Sequence, residues 1–312
     1  MSVQSSTEPA RASRRLGDRL FRGMTAGAGI VILLVLGGVL VFLTAEGVPA
    51  FTGPRSAILQ GASLPGYVLK LVFGTVLAAT LAMLIAMPLS IGVALFISHY
   101  APRRLALPLG YLIDLLAAVP SVVYGLWGLF FLAPRVVPVY AWLAAHLGFL
   151  PFFEGPASVT GNTILTAAVV LAIMVLPIST SLCREVFLQT PRLNEEAALA
   201  LGATRWETIR LVVFPHARSG MVSAGMLGLG RALGETMAVA IVLSPFHVVT
   251  FNLIGSVNPS TIAANIALNF ADSSGTAVNV LVLTGLVLFV LTFVVNFLAR
   301  AIVRRTSSAG GR

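Results

Sequence analysis

"LVFGTVLAATLAMLIAMPLSIGVAL", residues 71–95, runs for twenty-five positions without a charged side chain. At 1.5 Å per residue this makes a helix of about 37 Å, longer than the roughly 30 Å hydrocarbon core of a bilayer. A stretch of that length and polarity is a membrane span. Comparable apolar blocks recur at 24–44, 105–132, 162–183, 219–244 and 277–302. The chain therefore reads as all-α, a polytopic membrane protein with six transmembrane helices. Composition agrees: 57% of the 312 residues are hydrophobic and 10% charged, against about 25% charged in a soluble domain.

Between the blocks, the basic residues are unevenly placed. The tail 1–22 holds five arginines, the 98–104 turn two, the 184–218 loop five and the C-terminal end four, sixteen in all. Only Arg55 and Arg135 fall in loops of the other side, while Lys70 and Arg231 lie within spans. Positive residues collect on the cytoplasmic side, so both termini are expected there, in a bacterial inner membrane. The tail 1–22 reads as disordered or surface-lying, and 306–312 as a short C-terminal tail. Pro120 is expected to break the third block, and "VYAWLAAHLG" (139–148) to form a short helix on the outer surface. The outer loops 45–68, 133–160 and 245–276 carry Gly, Pro, Ser and Asn and could form a docking face.

Several functions are excluded. The net charge of +9 sits in segments flanking the spans, where it faces membrane lipids and gives no reason to expect nucleic acid. The only lysine, Lys70, follows Leu69, so no phosphate-binding loop GxxxxGK[ST] exists and any ATP hydrolysis belongs to another polypeptide. Cys183 stands alone, so no internal disulfide forms, and it is expected to be a packing residue. The four histidines are scattered without metal-ligand spacing. No Ser–His or paired-Asp arrangement speaks for an intramembrane hydrolase.

Within the 184–218 loop, Asn194 is the predicted N-cap of a helix with Glu195 and Glu196 in its first turn. Gly202 supplies the stop, and Thr204 with Glu207 a capping box for a second short helix. Trp206, Ile209 and Val213 share one face of that helix, and Pro215 closes the unit. Periodicity alone is compatible with a hairpin lying on lipid headgroups. The order of residues "EAALALGATRWETIRLVVFP" (196–215) instead resembles the cytoplasmic signature of ABC-importer permeases, EAA-x3-G-x9-I-x-L-P. Glu196, Ala197, Ala198, Gly202 and Pro215 are in register, while Val212 and Phe214 depart from the pattern but remain apolar. The resemblance implies a MetI-like permease fold over 23–305 in which this loop is the element that couples to the ATPase.

The fifth block contains "GLGRALGETMAV" (228–239). Arg231 lies about 18 Å along that span from residue 219, near the bilayer centre, where a charge costs roughly 2.5–3.5 kcal/mol on insertion scales. Glu235, four residues on, is expected on the same helix face and within reach of Arg231. One reading is a salt bridge that fixes packing. The other is an anion path in which Arg231, whose planar fork suits a tetrahedral oxyanion, attracts the anion and Glu235 holds Arg231 when the site is empty. Asp114 is expected to cap or to hydrogen-bond between helices. Ser121 and Tyr124, after the Pro120 break, are expected to satisfy freed carbonyls or to line the path.

Together with "AAVPSVVYGLWGLF" (117–130), these stretches look like the PstC-type permease family of phosphate ABC importers. That resemblance implies inward transport of inorganic phosphate by a non-enzymatic subunit. It also implies a second related permease, two ATPase subunits that carry the ATP and Mg, and an extracytoplasmic phosphate-binding protein, with no cofactor on this chain. The same architecture serving molybdate or sulfate stays open, as does, less well matched to the elbow, a stand-alone phosphate channel or symporter.

Overall fold

The computed structural model describes residues 11–53, 57–59 and 61–309; Arg55, assigned above to an outer loop, lies outside them, as do residues 1–10 and 310–312. The chain is helical almost throughout. Helix α1 spans Arg11–Gly47, so from Arg11 onward the basic tail is the beginning of the first helix, not a separate surface segment. The apolar block already nucleates that helix, and extending it fixes only one residue per added hydrogen bond.

Helix α2, Leu64–Leu95, continues through a π-turn at Phe96–Tyr100. α3 is Arg103–Ala117, and α4 begins at Ser121 after Pro120, which stands extended at φ −60° and ψ 141°. Pro120 therefore breaks the third block, as its missing donor predicts. The 139–148 stretch is not a separate surface helix, because α4 passes through a π-turn at Gly128–Leu132 straight into Ala133–Leu147. Next come α5, Ile164–Leu188, and the elbow helices α6, Arg192–Ala200, and α7, Arg205–Thr208. A π-turn at Ile209–Val213 leads into α8, Phe214–Gly234, followed by α9, Met237–Val242, α10, Ile262–Asn269, and α11, Thr276–Ala309.

Among the described residues five helical stretches are long and apolar enough to cross a membrane: Gly17–Thr52, Leu64–Tyr100, Ser121–Leu147, Ile164–Leu188 and Thr276–Ala301. The third expected span is displaced: Pro120 splits 105–132, and the apolar helix that results, Ser121–Leu147, takes in Arg135 and the start of the expected outer loop 133–160. The expected span 219–244 falls on α8 and α9, with a break at Glu235 and Thr236, and is not among the five. α5 is the centre of the bundle, with Leu171, Met174 and Val175 fully buried. α2 packs along it through a stripe of small residues at every fourth position, Gly74, Ala78, Ala82, Ala86, Ser90 and Ala94, all buried. Small side chains let two helix backbones approach where lipid gives no hydrophobic drive to associate. Ser90 Oγ completes the contact by donating to the Leu176 carbonyl at 3.2 Å.

The 245–269 segment is folded into the bundle and is not an open loop, although Phe246, Val249, Phe251 and Val257 remain exposed. Its strands β1 (Pro245–Phe246) and β2 (Asn258–Pro259) pair in parallel, and Asn258 is fully buried. The Ile164 N–H donates to Asn258 Oδ1 at 2.8 Å, and Asn258 Nδ2 donates to the Asn162 carbonyl at 2.9 Å. Asn265 Nδ2 donates to Tyr67 Oη at 2.8 Å, and the Ile262 N–H to Thr75 Oγ1 at 2.9 Å. Gly74 lies so close that a Cβ there would collide with the Ser260 carbonyl. Buried polar groups must be partnered, and the Asn and Thr content that reads as exposed loop is spent on those partners.

Candidate anion path and coupling elbow

The elbow opens where α5 ends. α6 begins at Arg192 with Pro191 as its N-cap, and Asn194 lies inside the first turn, its N–H donating to the Pro191 carbonyl at 3.0 Å. Asn194 is therefore not the cap. The extended, donor-free Pro191 starts the helix earlier, as proline's preset φ allows. Gly202, at φ +88°, ends the unit in the left-handed region that glycine enters without strain.

The capping box is complete. Thr204 N–H and Oγ1 both donate to Glu207 Oε2 at 2.7 Å, and Glu207 N–H donates to Thr204 Oγ1 at 3.3 Å. These bonds stabilise the carboxylate and lower the Glu207 pKa below its usual value, backbone contribution first. Ile209 and Val213 are buried, but Trp206, expected on the same face, is 55% exposed. The wider π-turn rotates the face away from that of an ideal helix. Pro215 does not close the unit. It directly follows the π-turn and lies within a helix that runs on from Arg205 to Gly234.

Glu196, Ala197, Gly202 and Pro215 are exposed and Ala198 is half-buried. Beside them stand Leu193, Leu201 and Trp206, with Leu201 90% exposed. Sequence reasoning passed over Leu193 and Leu201; the signal was a pair of leucines flanking an otherwise polar helix. His99 Nε2 lies 3.7 Å from Glu195 Oε2 and ties the elbow to the π-turn at the end of α2.

At the other end of α8 the structure separates the two charges that spacing had put together. α8 ends at Gly234, and Glu235 is extended at φ −68° and ψ 126°. Its Oε1 accepts from the Ala238 N–H at 3.1 Å, at the start of α9. No ion pair within 4.0 Å joins Arg231 to Glu235. The four-residue rule assumes an unbroken helix, and here the backbone breaks between the pair. Each charge answers a helix end instead: Arg231 sits in the last turn of α8, where carbonyl dipoles favour a cation, and Glu235 meets free N–H groups.

Arg231 Nε is buried and has no hydrogen-bond partner. The guanidinium lines a cavity of about 850 Å³ whose other polar walls are Ser223, Asn296 and Arg300. Among the described residues no carboxylate lines it. The rest of the wall is apolar, with Met226 and Leu227 from α8 and Ile178 from α5. Arg300, Asn296 and Ser223 were not among the expected site residues, because the cavity joins helices far apart in sequence. Tyr124 lies within electrostatic reach of Arg231, and its hydroxyl donates to the Leu116 carbonyl at 2.8 Å, bridging the Pro120 break. Ser121, half-buried at the start of α4, is not part of the cavity wall. Asp114 accepts from Ser181 Oγ at 2.8 Å, an interhelical hydrogen bond. Cys183 is buried.

The profile of the binding-protein-dependent transport system inner membrane component family matches residues 86–308. A relative from Mycobacterium bovis named phosphate transport system permease protein PstC 2 is 43% identical over 100% of this chain and 99% of its own length. One from Mesorhizobium japonicum, named phosphate transport system permease protein PstC, is 37% identical over 99% and 97%. Among solved structures, a bacterial alginate ABC transporter in complex with an alginate-bound periplasmic protein matches at a TM-score of 0.64 and 15% identity, over 95% of this chain and 98% of that one. That likeness bears on the fold alone.

Proposed function

The chain belongs to the binding-protein-dependent transport system inner membrane component family, and on that premise we propose that it is the multi-pass permease subunit through which an ATP-driven importer passes inorganic phosphate. The observation that carries the reading is Arg231: a guanidinium about 25 Å along α8 from Phe214, unpartnered at Nε, on a cavity without a carboxylate. An unpaired intramembrane cation is costly, and a tetrahedral oxyanion accepting two hydrogen bonds from its planar fork offsets that cost. Glu235, four residues on but outside the cavity wall and held by the Ala238 N–H, tempers through its charge how firmly Arg231 holds the anion. Relatives named for phosphate transport support the choice of anion.

Coupling falls to the elbow. Ala197, Ala198 and Gly202, with the exposed Leu193, Leu201 and Trp206, form an apolar surface beside the exposed Glu196, on a capped, rigid unit that seats on an ATPase dimer carrying ATP and Mg. Pro215 lies where that unit joins α8. A second related permease completes the pathway, and an extracytoplasmic phosphate-binding protein delivers the anion to the face opposite the elbow. The arginine distribution supports a cytoplasmic elbow and cytoplasmic termini in the bacterial inner membrane.

The test is uptake of labelled inorganic phosphate by the full complex in proteoliposomes. Arg231→Gln is expected to assemble normally and to lose uptake. Uptake at the parental rate overturns the anion path, and preferential uptake of sulfate or molybdate by the parental complex overturns the choice of substrate.

A further inference from the structure

We propose that Arg300, with Asn296 and Ser223, forms a second anion station in the cavity that Arg231 heads, on its elbow side. This rests on the phosphate-permease reading. Ser223 precedes Arg231 by eight residues on α8, about 12 Å nearer the elbow. α11 sets out beside the inserted 245–269 segment, with Gly285 against Ile266, and runs from there toward the elbow. Arg300 therefore lies nearer the elbow than Asn296, and all four polar groups share one continuous space.

Two guanidiniums in one carboxylate-free cavity raise its potential for anions and repel cations. An anion bound to Arg231 alone must break charge-assisted hydrogen bonds to leave. A second guanidinium within the same cavity offers replacement partners, with the Asn296 amide and the Ser223 hydroxyl as further donors. Conduction needs such neighbouring sites, each strong enough to be entered and weak enough to be left. Arg300 is exposed near the end of the span Thr276–Ala301, yet it lines the same space as Arg231.

Two measurements on the assembled complex test the station. Arg300→Gln is expected to lower the maximal rate of phosphate uptake about tenfold, the worth of one charge-assisted hydrogen bond, with the phosphate concentration for half-maximal uptake unchanged because the binding protein sets it. Arg300→Lys should fall between the two. Separately, Ser223→Cys reports the local potential, since the native Cys183 is buried and inert. An anionic methanethiosulfonate should modify it faster than a cationic one of similar size, inorganic phosphate should slow the anionic reagent, and adding Arg300→Gln should remove most of the preference.

Parental uptake by Arg300→Gln together with an unchanged reagent preference overturns the station and leaves Arg300 an interfacial anchor. If Arg231→Gln still abolishes uptake in that case, the phosphate-permease reading stands without it; if Arg231→Gln also transports normally, that reading fails as well. Should Arg300→Gln not assemble, the Ser223→Cys protein with Arg300 intact decides: phosphate protection supports the station, and labelling indifferent to phosphate overturns it.

Discussion

At its elbow end α8 is entered through a closed chain of local hydrogen bonds: Gly202 ends α6, the Thr204–Glu207 box starts α7, and a π-turn carries the helix onward without interruption. At its far end the same helix stops at Gly234, Glu235 turns away to cap the next helix, and Arg231 Nε is left without a partner. The first junction satisfies its own polar groups and so behaves as one rigid piece. The second leaves a charge unsatisfied and so holds energy that a ligand can release. The proposed function uses both on one helix: a push received at the elbow would change what happens beside Arg231.

The largest expected effect is at the open end. Arg231→Gln should reduce phosphate uptake roughly 100-fold or more, the worth of two charge-assisted hydrogen bonds, with assembled complex recovered at the parental yield. Arg231→Lys should restore little, since an ammonium lacks the planar fork. Substantial uptake by the lysine variant would reduce the site to a point charge and weaken the contrast between the two ends.

Gly202→Val tests the closed end. A β-branched residue at φ +88° is strained, and the turn between α6 and α7 should open or shift. No span is altered, so the protein should still insert. ATP-dependent uptake is expected to fall at least tenfold, by loss of coupling or of the ATPase from the complex. Co-purification of the ATPase separates those outcomes, and parental uptake would show that the elbow does not need its rigidity.

How far these two ends could be read in advance differs for a physical reason. The elbow is local: Gly202 and the Thr204–Glu207 pair act over a few residues and were legible. The helix start was misplaced from Pro191 to Asn194, and the π-turn, which no spacing announces, put Trp206 off the buried face and Pro215 inside a continuing helix. Four of the spans were legible from length and apolarity, and Pro120 from its missing donor; the third was placed too early, at 105–132, because apolarity runs on across the Pro120 break. The break after Gly234 was not, because Arg231 and Glu235 fit helical spacing and no proline interrupts them. Its one local signal is a carboxylate three residues before Ala238, the spacing of a cap, in a segment whose apolarity argued for continuity. The cavity was illegible in principle, since only tertiary packing brings Arg300 and Arg231 to the walls of one space, and arginine counting assigns Arg300 to topology. The burial of Asn258 depends likewise on partners near residue 162.

Glu235 offers a finer discrimination at the open end. Glu235→Gln keeps an oxygen able to accept from the Ala238 N–H, so the break should persist. It removes a negative charge from the neighbourhood of Arg231, so phosphate should be retained longer and uptake should slow severalfold. Glu235→Ala also removes the cap, at a cost of about 1 kcal/mol, and should lower the thermal stability of the complex where Gln does not. Equal behaviour of the two variants in bound phosphate and melting temperature would mean that the carboxylate serves only as a cap.

The smallest expected effect is the acid sensitivity of the closed end. Thr204 donates to Glu207 through both its N–H and its hydroxyl, and these bonds hold the Glu207 pKa below its usual value. A carboxylate whose pKa is lower folded than unfolded stabilises the fold above its unfolded pKa. That contribution is lost as pH falls through the folded pKa. Around neutrality the box is therefore insensitive to pH, and its loosening is confined to the acid side of the ordinary glutamate range. Hydrogen exchange of the solubilised complex should show protection of the 204–208 amides declining there, after correction for intrinsic rates. Glu207→Gln, which can still accept but carries no charge, should flatten that decline and leave the amides around Arg231 untouched. An identical acid response in the Gln variant would place the sensitivity elsewhere in the elbow, with the His99–Glu195 contact next to be examined.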